Sequence, residues 1–319
     1  MMENILQFGL SLVLYLQGLG SWLVAPMRLF TFTGEEQFFL LIMPMIYWSV
    51  DPGLGIRIGV ALLLSNGLNG AFKLAFHSPR PFWVDPRVHA LRFEDSFGIP
   101  SGHAQNAAAV WGMVGAVVRR GWVWVVMILL VFLVGISRLV LGMHFPSDVI
   151  AGWLIGAAVV WVILSLEAPA RLWLARHSLG FRLLAAFAAS LALVLIGFIA
   201  RYSLGDWKIP ALWLENAARA YPNLEAGDSP INALALSGFF TASGAFFGLT
   251  AGAILIASSG GFNARGAWWK RLLRFFVGLA GVLLFWQALG MLLPDGEYLL
   301  AYVLRYLRYA LTGLWISAL

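Results

Sequence analysis

The chain has 319 residues, 61% of them hydrophobic and only 11% charged. A soluble domain carries about a quarter charged residues, so this composition excludes an ordinary soluble fold and defines an integral membrane protein. The absence of cysteine excludes disulfides and thiolate metal sites, and the formal charge of +6 fits Arg-rich loops on one membrane side better than a nucleic-acid partner.

The predicted elements run as follows. MMENILQF has neither a basic leader nor a small-residue cleavage site, so no removable signal peptide is expected. Within about residues 4–25, Asn4, Gln7, Ser11 and Gly18 share one helical face against Leu, Val and Phe. That pattern favours a helix lying in the membrane interface, with a spanning helix as the alternative. Nine stretches approach the roughly 20 apolar residues that a span needs: about 34–50, 54–76, 101–118, 122–142, 147–166, 181–200, 233–257, 271–293 and 298–317. Thr33-x-x-Glu36 opens the first as a capping box. Arg305 and Arg308 weaken the last as a span, and a tilted or interfacial helix whose arginines snorkel is the alternative. Residues 77–100 and 201–232 form the two long polar connections, the second with a short amphipathic helix over 212–220. The expected fold is an all-α polytopic membrane helical bundle of about nine transmembrane helices. It divides into an N-terminal interfacial or spanning helix (1–33), a core (34–170) and a C-terminal transmembrane extension (171–319) with the outer loop 201–232.

Alternation of spans sorts the charges. One side collects Arg57, Arg119, Arg120, Arg171, Arg176, Arg182, Arg265, Lys270, Arg271 and Arg274, with only Asp51 and Glu167 as clear acids. The other collects most acids, among them Glu35, Glu36, Asp85, Glu94, Asp95, Asp206, Glu215, Glu225 and Asp228. The positive-inside rule makes the first side cytoplasmic. For a bacterial inner membrane, the second then faces the periplasm or exterior.

Three strings lie at span ends on that second side: Lys73-x6-Arg80-Pro81, Pro100-Ser101-Gly102-His103 and Ser137-Arg138-x5-His144-x3-Asp148. Ionisable groups at membrane depth are costly and mark function. Lys73, Arg80 and Arg138 supply cations for a phosphate, the arginines in bidentate fashion. Ser101 and Gly102 begin a helix, where free N–H groups and the dipole favour an anion. His144 and Asp148 share a helix face, so the carboxylate can hold the ring and stabilise its cation. This makes His144 the better nucleophile and His103 the better general acid. No carboxylate cluster suits Mg²⁺, so neither a metal nor another cofactor is expected.

All eleven identities in these strings match the signature of the type 2 phosphatidic acid phosphatase superfamily, and the chain resembles its membrane branch. The resemblance covers residues 73–148. It implies a phosphohistidine at His144, His103 as acid then base, Asp148 as support, and phosphate binding by Lys73, Arg80, Ser101, Gly102 and Arg138. A looser resemblance to glucose-6-phosphatase rests on the larger span count, Phe82-Trp83 after Arg80-Pro81, Leu212-Trp213-Leu214-Glu215-Asn216-Ala217 and Asp228-Ser229-Pro230. Trp83, His77 and His89 are candidate substrate contacts, although the default reading of both histidines is a solvated loop. Arg87 and Arg92 are candidates to hold a second phosphate or a lipid head group, with loop residues balanced by Glu94 and Asp95 as the favoured reading.

The expected activity is hydrolysis of a phosphate monoester or diphosphate, with a lipid favoured because the site lies at the interface. A sugar phosphate and a lipid phosphotransferase using the same phosphohistidine are the alternatives. A transporter ranks below them, since the motif charges sit on one side only, and so does a haloperoxidase, which would need bound vanadate and is usually soluble. Expected partners are the phosphorylated substrate and membrane lipids; oligomeric state is not legible.

Overall fold

In a computed structural model, residues 2–224 and 229–318 of the chain are described, and every regular element among them is a helix. Glu225 and Asp228, counted above as outer acids, and the Asp228 of the Asp-Ser-Pro stretch lie outside the described residues, as does the side chain of Asn4.

The N-terminal segment does not form one straight helix. α1 (Met2–Gly18) is followed by a 3-10 turn at Ser21–Leu23 and by α2 (Val24–Phe32), and the two arms bend by 92°. Gly20 makes the break at φ +117, a conformation that residues with a Cβ rarely adopt. α1 buries Gly9 and Val13, while Gln17 Nε2 donates to the carbonyls of His89 (2.8 Å) and Val140 (3.3 Å). The segment therefore lies across the bundle end that carries the motifs.

The bundle follows as α3 (Glu36–Ser49), α4 (Pro52–Phe76), the short α5 (Pro81–Val84), α6 (Gly102–Val118), α7 (Gly121–Val140), α8 (Pro146–Ala175) and α9 (Leu179–Ser203). The outer loop folds α10 (Ala211–Ala220), where the sequence predicts a helix over 212–220. Then come α11 (Ser237–Ser258), α12 (Trp268–Leu283) with a π turn leading into α13 (Leu289–Leu292), and α14 (Leu299–Ala318). Six runs are long and apolar enough to cross a membrane: Pro52–Val84, Gly121–Val140, Pro146–Ala175, Leu179–Ser203, Ser237–Ser258 and Trp268–Leu292. The bent N-terminal pair makes a seventh if taken as one span. The remaining three of the nine predicted stretches fold as α3, with 14 residues, α6, with 17, and α14.

Two local expectations differ from the structure. The Thr33–Glu36 capping box does not form, because Thr33 closes α2 and its hydroxyl donates to Phe30 O at 2.8 Å. Arg305 reaches Asp295 at 2.8 Å, but Arg308 does not snorkel: it is 8% exposed and lies over the Tyr309 ring. Charge sorting fits the helix directions at the end away from the motifs, where Arg57 of α4 pairs with Glu167 of α8 at 2.6 Å.

Three packings position the motifs. A buried polar ladder clamps antiparallel α4 and α6: Ser65 Oγ donates to Asn106 Oδ1 (2.7 Å), Gln105 Nε2 to Ser65 O (2.7 Å), and Asn69 Nδ2 to Gln105 Oε1 (2.9 Å). Interhelical hydrogen bonds of this kind hold membrane helices together where hydrophobicity cannot. α8 lies parallel to α6 through Gly152 and Gly156, whose bare Cα atoms face the Ser101 and Gln105 carbonyls. In the extension, α11 and α14 also run parallel. Gly244 faces the Tyr306 carbonyl, Gly248 that of Ala310 and Gly252 the Ser317 hydroxyl, a small-xxx-small seam.

The seams predict opposite outcomes for two glycines. Gly156→Val drives a side chain into the Gln105 carbonyl and is expected to lower the thermal midpoint in detergent by several degrees, with lost folded yield. Gly112→Ala meets only Val160 Cγ2 at 3.4 Å and is expected to be neutral or stabilising by up to about 1 kcal/mol. Equal midpoints for the two variants would refute the α6–α8 seam.

Candidate active site

Four of the motif segments reach the site as helix ends. Lys73 lies in the last turn of α4, which closes at His77 in a left-handed conformation of φ 35. Ser101 is the N-cap of α6, and His103 lies in its first turn. Arg138 lies in the last turn of α7, His144 in the following loop, and Asp148 at the third position of α8. The seam through Gly152 and Gly156 thus sets two parallel helix N-termini side by side, and Ser101 N donates to Asp148 O at 2.9 Å. Two positive dipole ends at one place favour an anion.

The histidine geometry determines the tautomer. His144 Nε2 lies 3.1 Å from Arg80 Nη1, and Nδ1 lies 3.2 Å from Asp148 Oδ2. Guanidinium nitrogens only donate, so Nε2 carries the lone pair and Nδ1 carries the proton. Asp148 Oδ2 also accepts from Phe145 N at 2.9 Å, which fixes the carboxylate at the start of α8. Burial and the cations of Arg80 and Arg138 hold the His144 pKa well below the ordinary histidine value, leaving the ring neutral at pH 7.

Arg80 and Arg138 are both wholly buried. Arg80 donates to Ser96 O (2.6 Å) and Met143 O (2.9 Å) as well as facing His144. Arg138 Nη1 donates to Thr31 Oγ1 of α2 at 2.8 Å. Lys73 Nζ donates to Ser96 Oγ at 2.6 Å, and Arg80 Nη2 reaches the same hydroxyl at 3.2 Å. Gly102 sits where a Cβ would crowd Asn69 Oδ1 at 3.3 Å. The structure therefore brings Lys73, Arg80, Ser101, Gly102, His103, Arg138, His144 and Asp148 into one connected group.

At the centre of that group is a residue the sequence reading placed elsewhere. Glu94 Oε1 accepts from Arg138 Nη2 at 2.7 Å, Oε2 lies 3.3 Å from Arg80 Nη2, and Oε1 lies 3.8 Å from His103 Nδ1. Burial alone would raise its pKa. Arg80 and Arg138, with smaller contributions from His103 and Lys73, overcome burial and hold the carboxyl well below the ordinary range. Glu94 does not balance Arg87 and Arg92, which pair instead with Asp85 (2.6 Å) and with Glu35. Its position nine residues before His103 carried no spacing rule by which composition could single it out.

The other candidates lie apart from this cluster's hydrogen bonds. Trp83 is wholly buried among Phe82, Phe97 and Trp213, and its carbonyl accepts from Asn216 Nδ2 of α10 at 3.0 Å. His77 packs on Trp207, with ring centroids 4.9 Å apart. His89 is exposed, its backbone held by Gln17. Two buried polar atoms within the cluster, Ser101 Oγ and Arg138 Nε, have no protein partner. Among the described residues, no group of three or more His, Asp or Glu side chains is placed to hold a metal ion.

Residues 54–172 match the family model described as PAP2 superfamily, and residues 240–319 match one described as PAP2 superfamily phosphatase, transmembrane extension. Phosphatidylglycerophosphatase B of Bacillus subtilis is 30% identical over 161 residues, an alignment covering 44% of this chain and 74% of that protein. Glucose-6-phosphatase 3 of Bos taurus is 30% identical over 191 residues, covering 51% of this chain and 54% of that protein. Undecaprenyl-diphosphatase of Sulfolobus acidocaldarius is 30% identical over 116 residues, covering 36% and 55%. The chain thus spans about half the length of the latter two relatives. It belongs to the PAP2 superfamily, and the first family match encloses every residue of the cluster.

Glu94→Gln would leave Arg80 and Arg138 without their anion. In phosphate-free buffer at pH 7 the variant is expected to unfold at a lower temperature than the parent, because an uncompensated buried cation is costly. A depressed carboxyl pKa stabilises above the unfolded value of about 4.3 and loses that effect as pH falls through the folded value. The difference is therefore full at pH 7 and shrinks in acid. Inorganic phosphate is expected to bind the variant about tenfold more tightly, since it no longer competes with Glu94. Phosphate titration by thermal shift measures both effects, and equal phosphate affinity would refute the competition.

Proposed function

We propose that the chain is an integral membrane phosphatase hydrolysing a phosphate monoester or diphosphate of a lipid at the outer membrane face, without a metal ion. The reading is carried chiefly by the pair Ser101 Oγ and Arg138 Nε, buried and unpartnered beside three cations and two helix N-termini. Buried polar atoms are ordinarily paired, so this set is arranged for a ligand rich in acceptor oxygens. In this reading α3, α6 and α14 also cross the membrane, giving nine spans, and the Arg-rich loops put the motif end outside.

The chemistry follows from the tautomer. His144 Nε2 attacks phosphorus as the P–O bond to the alcohol breaks, and His103 gives its proton to the departing oxygen. The Nδ1 proton stays on the ring, held by Asp148, so the phosphohistidine forms with its charge balanced. His103 then takes a proton from water, whose oxygen bonds phosphorus as the P–N bond breaks, and phosphate leaves. Arg80, Arg138 and Lys73 stabilise the transferring group throughout. Because Arg80 Nη1 covers Nε2 in the resting site, the guanidinium must turn onto the phosphate as substrate arrives.

A sugar phosphate is the second reading, supported by the 30% identity to glucose-6-phosphatase 3. Phosphate release in detergent from phosphatidate, phosphatidylglycerophosphate, a polyprenyl diphosphate and glucose 6-phosphate tests both. His144→Ala is expected to lose on the order of 10³-fold or more of the turnover, and EDTA is expected to change nothing. Wild-type turnover in His144→Ala would overturn the nucleophile, and loss of turnover with EDTA would overturn the metal-free site.

A further inference from the structure

A cavity of about 480 Å³ lies beside the catalytic cluster, within the roughly 300–1,000 Å³ range of ligand pockets. Its walls come from α3 and α4 of the core and from α11 and α14 of the extension. Lys73 and Ser96 line it, and these two residues also belong to the catalytic network through the Lys73–Ser96 and Arg80–Ser96 hydrogen bonds. The cavity and the phosphate site therefore share a wall.

The lining changes character with depth. At the motif end it is polar, with Glu36, Lys73, Asp95 and Arg305. At the far end Met43, Leu62, Leu249 and Ile316, one from each of the four helices, form an apolar floor, with Asn66 and Thr312 one turn above it. Lys73 to Leu62 along α4 and Arg305 to Ile316 along α14 each correspond to about 16 Å of helix rise, roughly half the hydrocarbon thickness of a bilayer.

We propose that this cavity holds the hydrocarbon chain of the phosphorylated alcohol, with the phosphate at Arg80, Arg138 and His144, and that the extension exists in part to build its second wall. The proposal rests on the lipid-phosphate reading above and names the subsite that reading needs. A chain moving from lipid into an apolar floor loses no hydration. A sugar seated on that floor would exchange water for Met43, Leu249 and Ile316, which offer no hydrogen bonds.

The test compares kcat/KM for alkyl phosphates from two to sixteen carbons in the wild-type protein, Leu63→Trp and Leu40→Trp. Leu63 and Leu40 line the cavity from α4 and α3 without touching the catalytic network. In wild type the long-chain to short-chain ratio is expected to exceed unity, and each Trp to reduce that ratio about tenfold. An alkylphosphonate with a terminal diazirine, photolysed on the wild-type protein, is expected to label α3, α11 or α14 near Met43, Leu249 or Ile316; this arm decides the matter if a variant does not fold. Alkyl phosphates hydrolysed at the same ratio in all three proteins, with photolabel elsewhere, would overturn the cavity assignment and leave the lipid reading intact. Hydrolysis of glucose 6-phosphate with no alkyl phosphate turned over would overturn both.

Discussion

Two guanidinium groups with no exposed surface dominate the energetics of this molecule. Arg80 and Arg138 are wholly buried near one end of an apolar bundle, and a charge so placed is tolerated only when it is paired and hydrogen-bonded. Their compensation comes from every direction: Glu94 and Ser96 in the 77–100 connection, the Met143 carbonyl beside His144, and Thr31 of α2. The 77–100 connection and the N-terminal segment are therefore part of the site's electrostatic shell. Glu94 in particular stands where a phosphate would compete. It serves as the anion that the cations otherwise lack, and a phosphate bound at these cations would have to displace it.

Precision elsewhere follows from that demand. The proposed phosphoryl-transfer chemistry needs its nucleophile, acid and cations held to a fraction of an ångström, yet these residues come from the ends of α4, α6, α7 and α8, the start of α5 and the loop before α8. The bundle meets this with contacts that tolerate little slack. The Ser65–Asn69–Gln105–Asn106 ladder fixes α4 against α6, and Gly152 and Gly156 bring α8 against α6 backbone to backbone. Through the second contact the Ser101 amide reaches the Asp148 carbonyl, so the two helix starts are tied together. His144 then receives its orientation from Asp148 and its lone-pair direction from Arg80.

The site was legible in the sequence to the extent that its residues sit at fixed spacings within single helix starts and ends. His144 and Asp148 four apart, and Ser101 to His103 opening α6, needed only helical geometry. Glu94 was not legible, because its role arises from how a loop folds back over three helix ends. The polar ladder is hidden for a related reason: Ser65, Asn69, Gln105 and Asn106 are scattered through two apolar stretches, and pairing across helices has no local signature. Among the elements, long apolar runs such as α7 and α9 were plain. The N-terminal break was not, since it depends on one glycine at positive φ and on the bundle end that the segment covers. Thr33 shows the same limit. It matches a capping pattern for α3, but the turn at Gly34–Glu35 recruits it to close α2 instead.

The shared wall between the cavity and the catalytic network bears on how substrate binding can be converted into rate. Lys73 gives one hydrogen bond to Ser96 Oγ, and that hydroxyl also receives Arg80. A chain seated on the apolar floor would hold the phosphate end beside Lys73 and draw that ammonium from Ser96 toward the phosphoryl oxygens. Freed from Lys73, Ser96 would remain with Arg80 while Arg80 Nη1 leaves His144 Nε2 for the phosphate. In the proposed mechanism, binding at a part of the substrate that does not react would then uncover the nucleophile, the circumstance in which remote contacts raise kcat as well as affinity. A headgroup without its chain would find the same cations but would have to displace Glu94 and reorient Arg80 unaided, so chain length should appear in turnover and not in affinity alone.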